Sequence, residues 1–247
     1  MLDPITAQSQ LLDLTQLKPD WRILAAVGSS ENLAIPVAPH VNHVTQICAT
    51  AAQAQEIEQM ATKATISNIA CSIHAADDLP YEANSFDLLL CHQFTHRMIN
   101  TEAWLLQTAR VLKSRGLIAI STYLVPGTRL RGKKARQLRL AAEYVNAFCQ
   151  LRDPTHRQYY SQSGWEDLLL KAGFEIQQVQ TAERQFDFSL WAGEAALSPK
   201  DRLRLKAMLV QAPEKAHEFL TPQFSGDRIR FRLPEITILA TSKGNTD

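Results

Sequence analysis

The chain has 247 residues, of which 45% are hydrophobic and 21% charged, proportions that argue against disordered, collagen-like and coiled-coil proteins. Lys and Arg total 26 against 25 Asp and Glu, and this balance excludes the strongly basic chains typical of dedicated nucleic-acid binders. Neither a signal peptide nor an apolar run of the roughly 18 residues that span a membrane is visible, so we expect a cytoplasmic protein without a transmembrane segment.

The first half of the chain alternates short apolar runs with helical segments. A leading helix is predicted over residues 5–17. Strands are predicted over 21–27, 42–48, 68–74, 86–91 and 117–122, with helices over 50–62 and 101–113 and a turn at Gly116. Five strands alternating with helical segments favour a parallel sheet with helices on both faces.

The second half is richer in helix and ends in two further strands. Helices are predicted over 129–151, 164–172 and 198–218, and strands over 174–184 and 228–241. Pro234 indicates an edge, a bend or a bulge in the last strand, which we expect to be antiparallel. No internal repeat is visible, which favours one domain with insertions over two domains.

The four cysteines indicate neither a metal site nor a disulfide framework. Cys48, Cys71, Cys91 and Cys149 contain no C-x-x-C pair, and no histidine follows at zinc-finger spacing. We expect reduced, mostly buried thiols and no metal ion.

Several strings resemble the class I methyltransferases that use S-adenosylmethionine. They are Asp78–Tyr81 (DLPY) with Asn84–Cys91 (NSFDLLLC), and Arg110–Gly116 (RVLKSRG). Residues 151–156 (LRDPTH) and 165–174 (WEDLLLKAGF) are similar to the branch related to quinone-biosynthesis, type 11, C-methyltransferases. The resemblance implies an α/β fold: a doubly wound, seven-stranded, mostly parallel sheet of Rossmann-like methyltransferase type with a helical lid insertion. It also implies a single domain over 1–247, in which helical insertions at 126–172 and 187–222 cover the pocket.

The same resemblance places a cofactor site at the ends of the first four strands. The residues that it assigns to S-adenosylmethionine are Val27, Gly28, Ser29, Ser30, Cys48, Asp77, Asp78 and His92.

This site departs from the family pattern in three places. In the loop after strand one, the family acid falls on Ala25 and the two glycines fall on Ser29 and Glu31. Ile47 and Cys48 stand where the family has an acid that binds the ribose hydroxyls. The adenine-binding acid aligns with Ala75, and Asp77 and Asp78 come later. We therefore expect S-adenosylmethionine to bind weakly or not at all, because most of the polar recognition is missing.

Histidine and tyrosine side chains are the candidates for catalysis. His92 and His96 follow the fourth strand and are either general bases or solvent-facing polar residues. His156 lies beside Tyr159 and Tyr160 and is a candidate for the substrate pocket, with helix capping by neighbouring residues as the structural alternative. The proposed catalytic residues are His96, His156 and Tyr160.

A basic run over 129–139 carries leucines between its charges. It consists of Arg129, Arg131, Lys133, Lys134, Arg136 and Arg139. Such a run binds an anionic substrate, a protein partner or an acidic membrane surface, or it is a solvated helix face.

Three functions stay open at this stage, and the sequence names no substrate. The favoured one is a non-catalytic partner subunit that uses the basic helix at 129–139, because the losses cluster on the cofactor side and no new catalytic constellation replaces them. The second is an active methyltransferase on an apolar acceptor, such as a quinone, polyketide or lipid-like ring. The third is an enzyme that reuses an apolar small-molecule pocket for cyclisation or isomerisation.

Overall fold

The computed structural model of the protein describes residues 7–27, 32–74 and 78–243. The strands are β1 (Arg22–Val27), β2 (His43–Cys48), β3 (Ile69–Ile73), β4 (Phe86–His92), β5 (Leu112–Tyr123), β6 (Phe174–Asp187), β7 (Gln223–Ser225) and β8 (Arg228–Ser242). The α-helices are α1 (Ala7–Thr15), α2 (Ala34–Val37), α3 (Ala51–Lys63), α4 (Thr101–Val111), α5 (Lys133–Arg152), α6 (Gln162–Lys171), α7 (Phe188–Gly193), α8 (Pro199–Val210) and α9 (Glu214–Leu220). None of the helices in these ranges is long and apolar enough to cross a membrane.

The sheet has the strand order β3-β2-β1-β4-β5-β8-β6, and the short β7 pairs with β8 off this path. Neighbours among β3, β2, β1, β4 and β5 are parallel. Ser242, at the end of β8, donates to the Lys113 carbonyl near the start of β5. Leu124, just beyond β5, donates to the Pro234 carbonyl in the middle of β8. β8 therefore runs antiparallel to β5, and the predicted seven-stranded, mostly parallel sheet is confirmed.

The central strands are buried on both faces. β1 reads RILAAV and is buried from Ile23 to Val27. β4 reads FDLLLCH and is buried except at Asp87. Near-continuous apolar runs of this kind are typical of parallel strands covered by helices on both sides, and this pattern made these strands predictable from the sequence.

The chain divides into two compact units. The first comprises residues 1–122, 167–180 and 237–247, and the second comprises 123–166 and 181–236. The second unit has an aromatic core in which Phe148 stacks on Trp191 with ring centroids 5.0 Å apart, and Phe231 packs edge-on against the same tryptophan. The single domain with two insertions stays a prediction.

Several element boundaries differ from the sequence prediction, and three of the differences have a local physical cause. The helix predicted over 198–218 is two helices, α8 and α9, because Pro213 cannot continue a helix and instead precedes the first residue of α9. α5 begins at Lys133 and not at residue 129, since Gly132 precedes it with φ at 100°, outside the helical region. Gly116, predicted as a turn, lies inside β5, beside a register shift against β4.

The two strings that carry most of the family resemblance are bonded to each other. The Arg110 guanidinium donates to the carbonyl oxygens of Leu79 and Tyr81, at 2.8 and 2.7 Å. Lys113 Nζ forms an ion pair with Asp87 at 2.8 Å. Residues 78–91 thus supply the oxygen atoms that bind the cationic side chains of residues 110–116. These contacts give a physical reason why the two strings occur together.

Candidate functional site

Four strands of the first unit end at one edge of the sheet. Val27, the last residue of β1, pairs with His92, the last residue of β4, and Cys48, the last residue of β2, pairs with Ile73, the last residue of β3. Ligands of doubly wound sheets bind beyond the carboxyl ends of the strands. The structure therefore brings three of the predicted cofactor residues, Val27, Cys48 and His92, to the edge where such a site lies.

The loops beyond this edge fall largely outside the described part of the chain. The predicted cofactor residues Gly28, Ser29, Ser30 and Asp77 are among those not described. Asp78 is described and is exposed to solvent.

Cys48 occupies the position at which the family resemblance implies a ribose-binding acid. Its side chain is fully buried and packs with Ala54 and Ile57 of α3. Burial, helped by the adjacent Cys71 thiol, raises the pKa of Cys48 to about 12, so the group is neutral at physiological pH. Its thiol lies 3.7 Å from the Gln46 carbonyl. A neutral thiol in an apolar cluster does not fit the role of a charged, bidentate acceptor for two ribose hydroxyls.

Gln46 is a buried polar side chain of this region that sequence reasoning missed. Its Oε1 accepts a hydrogen bond of 3.0 Å from the Ala34 amide and so fixes the start of α2, which follows the loop after β1. Among the described residues its Nε2 has no hydrogen-bond partner. A glutamine in the middle of a predicted strand of the parallel sheet was the available signal.

His92 and His96 are both buried, which corrects the alternative that they face solvent. His92 belongs to β4 itself, and His96 lies in a short 3-10 turn over Thr95–Arg97. The segment between them is tied to β5, since the Gln93 amide donates to the Ser121 carbonyl at 2.9 Å. Within the described ranges no group of three or more His, Cys, Asp or Glu residues is arranged to hold a metal ion.

His156 lies in the second unit and is also buried, with an exposed fraction of 1%. Asn146 Oδ1 accepts from the Tyr159 amide at 2.7 Å and lies 2.9 Å from His156 Nε2. Since this amide oxygen is an acceptor, His156 Nε2 carries a proton and donates to it. His156 thereby helps to hold the turn that follows α5.

Tyr160 is half-buried and lines an open cavity of the second unit. We call this cavity the α5 groove: its walls are one face of α5, the segment 125–132 and the segment 158–164, and its volume is about 630 Å³. Of the three predicted catalytic residues, Tyr160 thus lies on the α5 groove and His156 is buried behind Tyr159. His96 belongs to the first unit.

Comparison with known proteins places the chain among methyltransferases. A model of the methyltransferase domain family matches residues 12–179. The uncharacterized methyltransferase YcgJ of Bacillus subtilis is 22% identical over 231 residues, which cover 92% of this chain and 87% of YcgJ. Its crystal structure superposes with a TM-score of 0.87 at 20% identity, covering 97% and 99% of the two chains.

Two further solved structures share the fold. A putative methyltransferase of Bacillus halodurans C-125 has a TM-score of 0.85 at 18% identity, covering 96% of this chain and 99% of that one. The [4+2]-cyclase SpnF has a TM-score of 0.58 at 19% identity, covering 95% of this chain and 79% of the cyclase.

Proposed function

Because this chain belongs to the methyltransferase domain family, we propose that it keeps the family fold, binds S-adenosylmethionine weakly or not at all, and acts as a non-catalytic partner subunit. The observation that carries the first part is the buried, neutral Cys48 thiol at the end of β2. Each missing hydrogen bond to a charged acceptor weakens binding by about 1.5–3 kcal/mol, or roughly 10- to 150-fold. We derive no methyl-transfer step, because the residue at this position does not fit the cofactor.

Calorimetry tests the cofactor proposal directly. We expect titration of the protein with S-adenosylmethionine, or with S-adenosylhomocysteine, to give a Kd weaker than about 100 μM, which corresponds to less than roughly 5.5 kcal/mol. Cys48→Ala should leave this result unchanged, because the thiol does not bind the ribose. A Kd in the low micromolar range would overturn the proposal and favour an active methyltransferase on an apolar acceptor such as a quinone, polyketide or lipid-like ring.

The second part of the proposal needs a surface for a partner, and the basic run supplies it. Arg129 is already paired with Glu166 at 2.8 Å. Lys133 and Arg136 are exposed on α5, do not line the α5 groove, and are followed by Leu140, which is 55% exposed. We call Lys133, Arg136 and Leu140 the outer α5 face. Its chemistry suits a partner with an acidic surface and an apolar contact at its centre.

A comparison of variants tests the partner role. Affinity purification from the native organism should recover a partner with the wild type and lose it with Lys133→Glu/Arg136→Glu. The matched control, Arg202→Glu/Lys206→Glu, makes the same charge change on the exposed face of α8 and should retain the partner. Equal recovery by all three proteins would contradict the outer α5 face as the interface.

The α5 groove favours a second candidate, an enzyme that uses the pocket without methyl transfer. Its volume of about 630 Å³ suits a small molecule, and the hydroxyl-bearing residues Tyr160 and Ser161 are among its lining. The [4+2]-cyclase SpnF has the same fold, which makes a cyclisation or isomerisation compatible with it. No specific partner in the purification, together with turnover that needs no S-adenosylmethionine, would favour this candidate.

A further inference from the structure

The α5 groove is lined by one face of its helix. Ala135, Arg139, Ala142 and Asn146 follow one another at intervals of four, three and four residues, which places them on a single stripe of α5. The opposite wall comes from residues 125–132 and 158–164 of the same compact unit.

This opposite wall is held in place by bonds within the unit. The Val125 amide donates to the Tyr160 carbonyl at 3.2 Å. Gly127 lies so close to Ser161 that a Cβ atom at position 127 would overlap the serine side chain. The groove is therefore a preformed feature of the fold, a property that favours the binding of small molecules.

The lining of the groove combines aliphatic and charged side chains. Val125, Pro126, Leu130, Ala135 and Ala142 supply aliphatic surface. The ionisable side chains with a charge at neutral pH are Arg131, Arg139 and Glu143, which leaves one net positive charge.

Neither Arg131 nor Arg139 takes part in an ion pair among the described residues. A guanidinium presents a planar fork that matches a carboxylate in two parallel hydrogen bonds. Glu143, one helical turn beyond Arg139, disfavours a ligand with a second negative charge.

We propose that the α5 groove binds a small amphipathic monocarboxylate, with Arg131 and Arg139 holding the carboxylate and the aliphatic lining residues holding the chain of the ligand. This inference goes beyond the proposed function and does not depend on it, because every residue it uses belongs to the second unit, whereas the predicted cofactor residues belong to the first. It also differs from the partner surface, since the outer α5 face does not line the groove.

Decanoate is the probe, and decanamide, which has the same chain and no charge, is its matched control. Binding is followed by calorimetry and by the intrinsic tryptophan fluorescence, to which Trp165 contributes with its ring 5.4 Å from that of Tyr160. We expect decanoate to saturate the wild-type protein at submillimolar to millimolar concentrations and to bind about tenfold more tightly than decanamide. No saturation, or equal binding of the two probes, would overturn the proposal.

Paired variants locate the site. Arg131→Gln/Arg139→Gln should weaken decanoate binding about tenfold or more and leave decanamide binding unchanged. Lys133→Gln/Arg136→Gln removes the same charge from the outer α5 face and should change decanoate binding less than about twofold. Circular dichroism checks that both variants are folded. Equal losses in the two variants would show a diffuse electrostatic effect and contradict the site.

Decyl phosphate separates a carboxylate site from a phosphate site. At a pH where it is a dianion, it should bind the wild type more weakly than decanoate, and Glu143→Gln should reduce or reverse this difference because the net charge of the groove rises by one. Tighter binding of decyl phosphate to the wild type would overturn the assignment to monocarboxylates.

Discussion

Glu235 of β8 accepts a hydrogen bond of 2.6 Å from Arg184 Nε of β6, and its side chain is only 2% exposed. Removing the guanidinium would take a hydrogen-bonded cation away from a buried carboxylate. We expect Arg184→Ala to lower the free energy of unfolding by about 3 kcal/mol, measured by urea denaturation.

A neighbouring ion pair provides the control for that experiment. Glu183 pairs with Arg232 and has a side-chain exposure of 62%. Glu183→Gln should cost less than about 1 kcal/mol, because water screens an exposed pair. Similar losses in the two variants would contradict the importance of burial at Glu235.

Asn146 of α5 holds both backbone polar groups of Tyr159 through its side-chain amide. Its Nδ2 donates to the Tyr159 carbonyl at 3.2 Å, and its Oδ1 accepts from the amide of the same residue. We expect Asn146→Ala to lower the free energy of unfolding by about 2–3 kcal/mol, because buried backbone groups lose their partners. Asn146→Asp keeps an acceptor oxygen for the Tyr159 amide and loses only the Nδ2 donor, so it should lose less than Asn146→Ala.

The same contact predicts the tautomer of His156. Nitrogen NMR of the wild type should show a protonated Nε2, since this atom donates to Asn146 Oδ1. An unprotonated Nε2 would contradict the hydrogen-bond assignment, whatever the stability of the variants.

The sequence could predict the sheet because its signals are local. The runs at 21–27 and 86–91 are apolar except at Arg22 and Asp87 and end near polar or turn-forming residues, so periodicity and length identified two buried parallel strands. The segment 198–218 was predicted as one helix, and not as α8 and α9, because its apolar residues continue past Pro213. The local effect of the proline decided the boundary there.

The candidate site was only partly predictable. Cys48 was placed correctly at the end of β2, because strand ends follow from local patterns. The α5 groove depends on the pairing of Val125 with Tyr160, 35 positions apart, and no periodicity in the chain encodes that contact. For the same reason, the sequence did not show that Arg131 and Arg139 line the α5 groove whereas the outer α5 face does not. The sequence does not reveal what packs against each side of a helix.

Gly127 packs closely against Ser161 in the wall of the α5 groove. Its backbone approaches Ser161, whose Oγ also accepts a 3.1 Å hydrogen bond from the Gly164 amide at the start of α6. We expect Gly127→Ala to lower the free energy of unfolding by about 1–3 kcal/mol through steric overlap. In a Ser161→Gly background, where the overlapping atoms are absent, the same substitution should cost at least about 0.5 kcal/mol less. Strict additivity of the two changes would contradict a direct contact.

Cys149, in the core of the second unit, is expected to make the stability of the protein fall as the pH becomes alkaline. Burial raises the pKa of its thiol from the ordinary 9.0 to about 12. Between pH 9 and pH 12 the thiol is ionised in the unfolded chain and protonated in the folded chain. The contribution of this thiol to the free energy of unfolding is therefore complete below pH 9 and is lost as the pH rises towards 12. From pH 8 to pH 10 the loss amounts to about 1.4 kcal/mol for this thiol.

The slope of stability against pH isolates this effect from the packing of the side chain. Urea denaturation under reducing conditions gives the free energy of unfolding at pH 8 and at pH 10. Cys149→Ala removes contacts at both pH values, but it should reduce the difference between them by about 1.4 kcal/mol. Burial also raises the pKa values of Cys48 and Cys91, so part of the wild-type slope should persist in the variant. A variant with the full wild-type slope would mean that the Cys149 thiol ionises in the folded protein as readily as in the unfolded chain.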